Sequence, residues 1–251
     1  MIPKYLFLLL ALACSFACAD VELLKVSGTE NYTIKISKHV RQIDFEKFDD
    51  LLKFAERKKM KLHMNAVQLD LLGGDPTAAR EIGKIIRNKK LNTYLAPKDN
   101  CLSACIYIAV SGVRRMIYGN VSVHRLALVY KELTNEQIAS IIREHNRVSN
   151  QYLIDMGASV LLVEAINLTP NWGLRRLKDD EILHWGIFGA DHIAEEILFR
   201  EASARVGIST KEFDSAYVEH MEICKKEEFS FKNLLVDCTV NQLKLAKFNK
   251  Q

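Results

Sequence analysis

The sequence LDLLGGD at residues 69–75 is the most informative segment for the fold, because an apolar strand runs there into two glycines and then into a helix. Residues 62–71 have the apolar character of a strand, and Pro76 suits the first turn of a helix, where its missing N–H is not needed. Gly73 and Gly74 allow backbone N–H groups to face a ligand beside the positive end of that helix. Glycines are also routine at such turns, so this segment alone predicts a strand–turn–helix unit. The G-x-G-x-x-G spacing of a dinucleotide site is absent, and we expect no cofactor.

The segments on both sides of this turn alternate between strand-like and helix-like patterns. One helical pattern begins at Asp44, and a long one runs from Thr134, which opens a Thr-x-x-Gln capping box, to about Met156. Strands that alternate with helices predict an α/β fold with a mainly parallel sheet. The remaining strand-like segments are residues 21–36, 92–96, 113–118 and 121–124, and shorter helical segments are 158–167, 178–185 and 191–205.

The composition is that of a folded protein without a nucleic-acid partner. Of 251 residues, 49% are hydrophobic and 26% are charged, which is enough apolar material to bury a core and excludes disorder. Thirty-five basic residues against thirty-one acidic ones give a net charge of +4. Because these charges are interspersed and form no basic stripe, we expect no nucleic-acid binding.

The first nineteen residues have the layout of a secretory signal. Lys4 gives a positive start, residues 5–13 form an apolar run, and residues 17–19 form an A-x-A cleavage site before Asp20. The run is too short to span about 30 Å of hydrocarbon, which disfavours an uncleaved membrane helix. We therefore expect an exported protein that meets a membrane only if Cys14, in a loose lipoprotein pattern, is lipidated.

The sequence predicts that the chain has three parts. They are a signal peptide at residues 1–19, an α/β domain at residues 20–205 and a C-terminal extension at residues 206–251. The extension is charged and helix-like in its first half. It then carries apolar residues and a cysteine pair fourteen residues apart (238 − 224), which predicts a small stapled hairpin.

Export leaves four cysteines, and an even number in an oxidising compartment predicts two disulfides. Pairing of Cys101 with Cys105 and of Cys224 with Cys238 is the simplest of three connectivities. A zinc site is the alternative, but no histidine has the usual spacing to either pair, so we expect no metal site.

Two further segments contain candidate catalytic groups. In CLSAC at residues 101–105, Ser103 precedes an apolar helical run, so it is either the N-cap of that helix or a nucleophile whose neighbouring amide, that of Ala104, points the same way. His124 ends a strand-like segment twenty-one residues later (124 − 103), where a helix and a returning strand can bring it to the same edge of the sheet. His145 and His184 lie in charged helical stretches, and we expect both to be solvated.

The order of these motifs resembles the Clp-protease-like (crotonase-fold) superfamily, and more narrowly the exported, periplasmic Clp-like proteins of bacteria. The resemblance covers about residues 30–190 and includes LKDDEILHWGI at residues 177–187, which is similar to the closing pattern of that family. It implies a spiral of βαβ units, assembly into a homo-oligomer and a peptide or protein substrate bound as an extended strand. Residues 126–133 match the family's connection into its long helix.

The resemblance also implies a set of site residues. Ser103 matches the family nucleophile, His124 its general base, and the amides of Gly74 and Ala104 its oxyanion hole. The Clp-type third member is an aspartate, but the matching segment reads NLTPNW at residues 167–172 and has no carboxylate. Orientation of His124 therefore falls to Asn167, to Asn171 or to a backbone carbonyl, and we expect a slower enzyme.

The sequence thus predicts an exported serine peptidase-like hydrolase with a Ser103–His124 centre. The missing carboxylate favours an alternative, a catalytically weak or inactive binding or assembly module of the cell envelope. A crotonase-type acyl-thioester enzyme is a third possibility, which export disfavours because coenzyme A thioesters are cytoplasmic.

Overall fold

The computed structural model describes residues 20–126, 134–226 and 232–248. The predicted signal segment, with Cys14, and residues 127–133 of the predicted connection lie outside the described residues. Contacts divide the chain into a first unit that ends at Gly189 and a second that begins at Ala190. The sequence predicts this boundary after residue 205, because residues 191–205 have the pattern of one more helix of the α/β domain.

The strands form one sheet, in which most pairs are parallel. The pairs β2–β3, β3–β4, β3–β5, β4–β6 and β5–β7 are parallel, whereas β1–β2 and β7–β8 are antiparallel. This confirms the predicted α/β fold with a mainly parallel sheet. The strands are β1 (Asp20–Lys25), β2 (Tyr32–Val40), β3 (Leu62–Gly74), β4 (Asn92–Leu95), β5 (Asn100–Leu102), β6 (Arg114–Ile117), β7 (Asn120–Val123), β8 (Arg175–Arg176) and β9 (Gly189–Ala190).

The long strand β3 is the point at which the sheet branches. It pairs with β2 along most of its length, with β4 at residues 66–69 and with β5 at Leu71. A strand has only two hydrogen-bonding edges, so β4 and β5 share the edge opposite β2. One arm continues from β4 to β6, and the other runs from β5 through β7 to β8. The second arm carries the candidate site.

The helices of the first unit start where the sequence provides caps. The Asp75 carboxylate accepts hydrogen bonds from the amides of Thr77 and Ala78 and so caps the helix that follows the double glycine. Thr134 and Gln137 form the predicted capping box. The helices are α1 (Gln42–Arg57), α2 (Pro76–Asn88), α3 (Cys105–Ala109), α4 (Asn135–Asp155), α5 (Val160–Leu168) and α6 (Asp179–His184).

The core of the first unit lies between the sheet and these helices. Strand β3 alternates so that Val67, Leu69 and Leu71 are fully buried, and α2 buries Ile82 and Ile86 one turn apart. The short α3 is buried along its whole length. Burial on this scale fixes the strand ends from which the candidate site is built.

The second unit is helical. Helices α7 (His192–Val206), α8 (Thr210–Lys226) and α9 (Lys232–Phe248) enclose a separate apolar cluster that includes Phe213, Tyr217 and Val240. The stapled segment is therefore a pair of helices joined by the disulfide between Cys224 and Cys238.

Candidate active site

The candidate site forms where three neighbouring parallel strands end. Gly74 ends β3, Ser103 follows β5, and His124 follows β7. Strand β5 lies between the other two, and Leu102 pairs with Ser122 in register. Carboxyl ends of parallel strands meet at one edge of a sheet, so residues more than twenty positions apart in sequence are brought together there. The Ser103 amide donates to the Ser122 carbonyl at 2.8 Å, which ties the first residue after β5 to β7.

Ser103 has an unusual backbone conformation. Its φ angle is +54°, in the left-handed region that residues with a side chain rarely adopt. Ala104 is the N-cap of α3 and Ser103 caps nothing with its side chain, so the N-cap interpretation of Ser103 is wrong. The sharp turn between β5 and α3 leaves the Ser103 side chain at the wall of an open cavity. Such conformations persist only where the surroundings enforce them.

A disulfide encloses this turn. Cys101 in β5 and Cys105 in α3 are bonded, with Cα atoms 5.1 Å apart, and both side chains are fully buried. The predicted pairing is confirmed for this pair and for Cys224 with Cys238. The first disulfide therefore links the strand before Ser103 directly to the helix after it.

The double glycine is required by close backbone contacts. A Cβ on Gly74 would lie 2.1 Å from the Val40 carbonyl oxygen, and a Cβ on Gly73 would lie 3.1 Å from the Ser103 Cβ. Both glycines have positive φ angles, +112° and +126°. The end of β3 can therefore approach Ser103 only because no side chain intervenes.

His124 is held by a main-chain group. Its Nδ1 lies 2.8 Å from the Arg125 carbonyl oxygen, and a carbonyl only accepts, so Nδ1 carries the hydrogen and donates it. In the neutral ring this leaves Nε2 unprotonated and available as an acceptor. The Ser103 hydroxyl and the His124 ring are both described by the structure, and no hydrogen bond joins them.

Two depressions meet at Ser103, His124 and Gly74. The larger has a volume of about 520 Å³ and extends towards α2 and α4, past Asp75, Tyr107 and His145. The smaller lies on the other side of Ser103 and is lined by Leu72 and Leu174, together with Trp172, whose side chain is 81% exposed. A bound chain that crosses Ser103 would occupy both.

The two candidate asparagines lie in different depressions. Asn167 lines the larger one and Asn171 the smaller one. In the part of the chain that the structure describes, neither side chain is hydrogen-bonded to His124. The Arg125 carbonyl, the third option considered from the sequence, is the group that contacts the ring.

The prediction that His145 is solvated is wrong. Its ring is half-buried at the wall of the larger depression, and burial together with the nearby Arg80 guanidinium lowers its pKa to about 4. Its Nε2 lies 3.1 Å from the Ser149 hydroxyl. The i, i+4 spacing of His145 and Ser149 in a helix was the signal available in the sequence. His184 is exposed, as predicted.

Neither a metal cluster nor a membrane span is found in the described ranges. No group of three or more histidine, cysteine, aspartate or glutamate side chains there is placed to hold a metal ion. In the same ranges, no helix combines the length and the apolarity that crossing a bilayer requires.

Comparisons with known proteins give a similarity in structure only. No protein-family model and no curated protein matches the chain. A single-residue mutant of the 1510-N membrane-bound stomatin-specific protease is 18% identical over 66% of this chain and 80% of that one, with a TM-score of 0.45. A second mutant of that protease, in complex with a substrate peptide, is 17% identical over 66% and 76%, with a TM-score of 0.44. A mutant of ClpP1 from Listeria monocytogenes is 17% identical over 64% and 93%, with a TM-score of 0.45.

Proposed function

We propose that the mature chain is an exported serine peptidase-like hydrolase that cleaves peptide bonds with Ser103 as nucleophile and His124 as general base. The observation that carries the proposal is the left-handed conformation of Ser103 at the point where two depressions meet. Backbone strain of this kind is frequent at functional sites, and at Ser103 it coincides with both depressions. The disulfide across the turn supports the same interpretation, since it holds the strained residue in place.

In the proposed reaction, His124 Nε2 takes the Ser103 hydroxyl proton as Oγ forms a bond to the substrate carbonyl carbon. His124 then gives that proton to the leaving nitrogen as the C–N bond breaks. Water, activated by the same ring, afterwards hydrolyses the acyl-enzyme and regenerates Ser103. The contact between Ser103 and His124 would form when substrate binds, because such hydrogen bonds are often loose in a free enzyme.

The negative charge on the carbonyl oxygen is assigned to the amides of Gly74 and Ala104. Ala104 is the N-cap of α3, and the first amides of a helix have no partner within the helix. Loss of one such donor typically costs about 3 kcal/mol of transition-state stabilisation.

The Arg125 carbonyl would replace the carboxylate of a complete triad. It fixes the ring tautomer in which Nε2 is the base. A carbonyl carries no formal charge, so it stabilises the imidazolium less than an aspartate does. We therefore expect peptide hydrolysis to be slow.

Export and assembly belong to the same proposal. Removal of residues 1–19 would release the chain beyond the cytoplasmic membrane, and lipidation of Cys14 would instead tether it. We also propose a homo-oligomer. N-terminal sequencing of the secreted protein and light scattering of the purified protein test these points.

The alternative is a binding or assembly module that cleaves slowly or not at all. It is favoured by the absence, among the described residues, of a carboxylate hydrogen-bonded to His124 and of a Ser103–His124 hydrogen bond. Such a module would bind peptides across the two depressions without turning them over.

A hydrolysis assay separates the two functions. The mature, oxidised protein is incubated with a fluorogenic peptide library, beside the variants Ser103→Ala and His124→Gln. Matched controls are Ser27→Ala, in the exposed turn between β1 and β2, and His184→Gln, on an exposed face of α6. We expect turnover that both site variants lose and both controls keep. Peptide binding without turnover in the unaltered protein would refute the peptidase and leave the binding module.

A further inference from the structure

A buried arginine lies behind the wall of the larger depression. Arg80 projects from α2, and only 7% of its surface is exposed. Its guanidinium donates to the Ser149 hydroxyl at 2.8 Å and to the Thr77 hydroxyl at 3.2 Å, and its Cζ lies 5.8 Å from the centre of the Tyr107 ring. Thr77, Tyr107 and Ser149 all line the depression that contains Ser103. Arg80 therefore contacts the lining of the depression from behind without being part of it.

Among the described residues, the charge of Arg80 is not neutralised by an ion pair. In residues 20–126, 134–226 and 232–248, no carboxylate forms an ion pair with its guanidinium, whose side-chain partners are two neutral hydroxyls. Glu144, which lies in a shallow depression with Arg80, is paired with Arg147 at 2.6 Å. Asp75 is engaged by the amides of Thr77 and Ala78. A buried cation without a counter-ion is unfavourable, so an anion from outside would be stabilised there.

The hydrogen bonds of Arg80 leave its polar neighbours with hydrogens to donate. A guanidinium only donates, so the hydroxyls of Ser149 and Thr77 accept from it and their own hydrogens point elsewhere. We assign the Ser149 hydrogen to His145 Nε2, 3.1 Å away, which leaves the hydrogen of the neutral ring on Nδ1. The ring is neutral near pH 7, because burial and the adjacent Arg80 cation lower the pKa of His145 to about 4. The Thr77 hydroxyl and the His145 Nδ1–H group can therefore donate to a ligand, with the positive charge of Arg80 close to both.

We propose that Arg80, Thr77 and His145 form a subsite that binds a carboxylate of the peptide substrate. The subsite rests on the proposed function, because it lies in the depression that leads to Ser103. The carboxylate has two sources, an aspartate or glutamate side chain near the scissile bond or the C-terminal carboxylate of the peptide. Either would make charge-assisted hydrogen bonds in a partly desolvated site.

The test measures peptide binding in the Ser103→Ala protein, in which cleavage does not interfere. Calorimetry compares acetylated, amidated alanine peptides that contain one glutamate with the same peptides that contain glutamine. It also compares an all-alanine peptide with a free C-terminal acid and the same peptide amidated. We expect one acidic member to bind about ten- to a hundredfold more tightly than its neutral match, as a charge-assisted hydrogen bond provides. Which pair shows the preference identifies the source of the carboxylate.

Two variants on the same helix locate the preference. Arg80→Gln should reduce it to less than about twofold, because the charge is lost. Lys84→Gln, which removes the same charge from the exposed face of α2, should leave it intact. Equal binding of acidic and neutral peptides, or a preference that survives Arg80→Gln, would overturn the proposal.

A further measurement leaves Arg80 in place, in case Arg80→Gln does not fold. The ring resonances of His145 should shift when the acidic peptide is added to the Ser103→Ala protein and stay unchanged with its neutral match. Unchanged resonances with a bound acidic peptide would refute the subsite.

Turnover by the unaltered protein is measured in parallel. Turnover without an acidic preference removes the subsite alone, and an acidic preference without turnover removes the peptidase alone.

Discussion

The two disulfides close short loops in two different kinds of structure. Cys101 and Cys105 are four residues apart and bracket a strained turn between a strand and a helix. Cys224 and Cys238 are fourteen residues apart and join two helices of the second unit. In the chain-entropy description, the longer loop gives about 3 kcal/mol of stabilisation and the shorter about 2 kcal/mol. The smaller contribution thus lies at the turn in which Ser103 has a left-handed conformation.

This difference indicates that the disulfides serve separate purposes. The pair in the second unit compensates for a small apolar cluster. The pair in the first unit lies within a larger core, so we expect its main effect to be on the geometry of Ser103. Changes near Ser103 should therefore alter reactivity, whereas changes at Cys224 and Cys238 should alter stability alone.

The largest effect is expected at the glycine beside the strained turn. Gly74→Ala places a Cβ 2.1 Å from the Val40 carbonyl oxygen at a φ of +126°, and we expect a loss of at least about 3 kcal/mol in the free energy of unfolding. Gly28→Ala is the control, because its φ is also positive but nothing lies within 4 Å of the new atom. Urea unfolding measures both. Equal losses would show that the end of β3 tolerates a side chain.

The second effect is in the helical unit. Replacement of both Cys224 and Cys238 by alanine should lower the free energy of unfolding of this unit by about 3 kcal/mol. Thermal unfolding measures the loss, and amide hydrogen exchange in α8 and α9 locates it in this unit. Labelling of Ser103 by a fluorophosphonate should be unchanged in this variant. Slower labelling would contradict the separation of purposes.

Loss of the disulfide between Cys101 and Cys105 should reduce stability less than loss of the other disulfide, but it should reduce the reactivity of Ser103 more. Replacement of both Cys101 and Cys105 by alanine should cost about 2 kcal/mol. It should also slow fluorophosphonate labelling of Ser103 about 10- to 100-fold, since a small displacement of a reacting atom has consequences of that size. A variant that loses stability but labels at the original rate would show that the turn keeps its shape without the bond.

The smallest effect is a pH dependence at His145. The unfolded ring takes up a proton near its ordinary pKa of 6.5, whereas the folded ring stays neutral down to about 4. Between these values the unfolded chain binds more protons, so stability falls as the pH is lowered. After screening by solvent at a half-exposed ring, the loss is about 1 kcal/mol. Urea unfolding at pH 7 and pH 4.5 should show this loss in the unaltered protein and in His184→Gln, but not in His145→Gln. The same loss in His145→Gln would assign it to other groups.

The sequence predicts the fold well because its signals are local. The apolar run of β3, the cap at Asp75 and the capping box at Thr134 each specify an element from its own residues. The pairing of cysteines that are close in sequence is likewise the simplest of the three connectivities, and it is confirmed. The boundary between the units is harder to predict from the sequence, because α7 has the pattern of an ordinary helix. Only its tertiary contacts assign it to the second unit.

The candidate site is predictable only in part. Ser103 and His124 follow from the order of motifs, but the partner of the His124 ring is a backbone carbonyl, which no side-chain pattern reveals. The burial of the Arg80 side chain could not be predicted from the sequence, for a related reason. It lies in α2 among charged residues that are exposed, and the contacts that bury it come from α3 and α4. Burial of a charge depends on such distant neighbours.

Fluorophosphonate labelling of the mature, oxidised protein, with the adduct located by peptide mass mapping, tests the central claim most directly. The claim is that Ser103 is an activated nucleophile. We predict a single adduct at Ser103 that is absent in Ser103→Ala and strongly reduced in His124→Gln. A folded protein with both disulfides intact that forms no adduct, or that labels equally without His124, would contradict it.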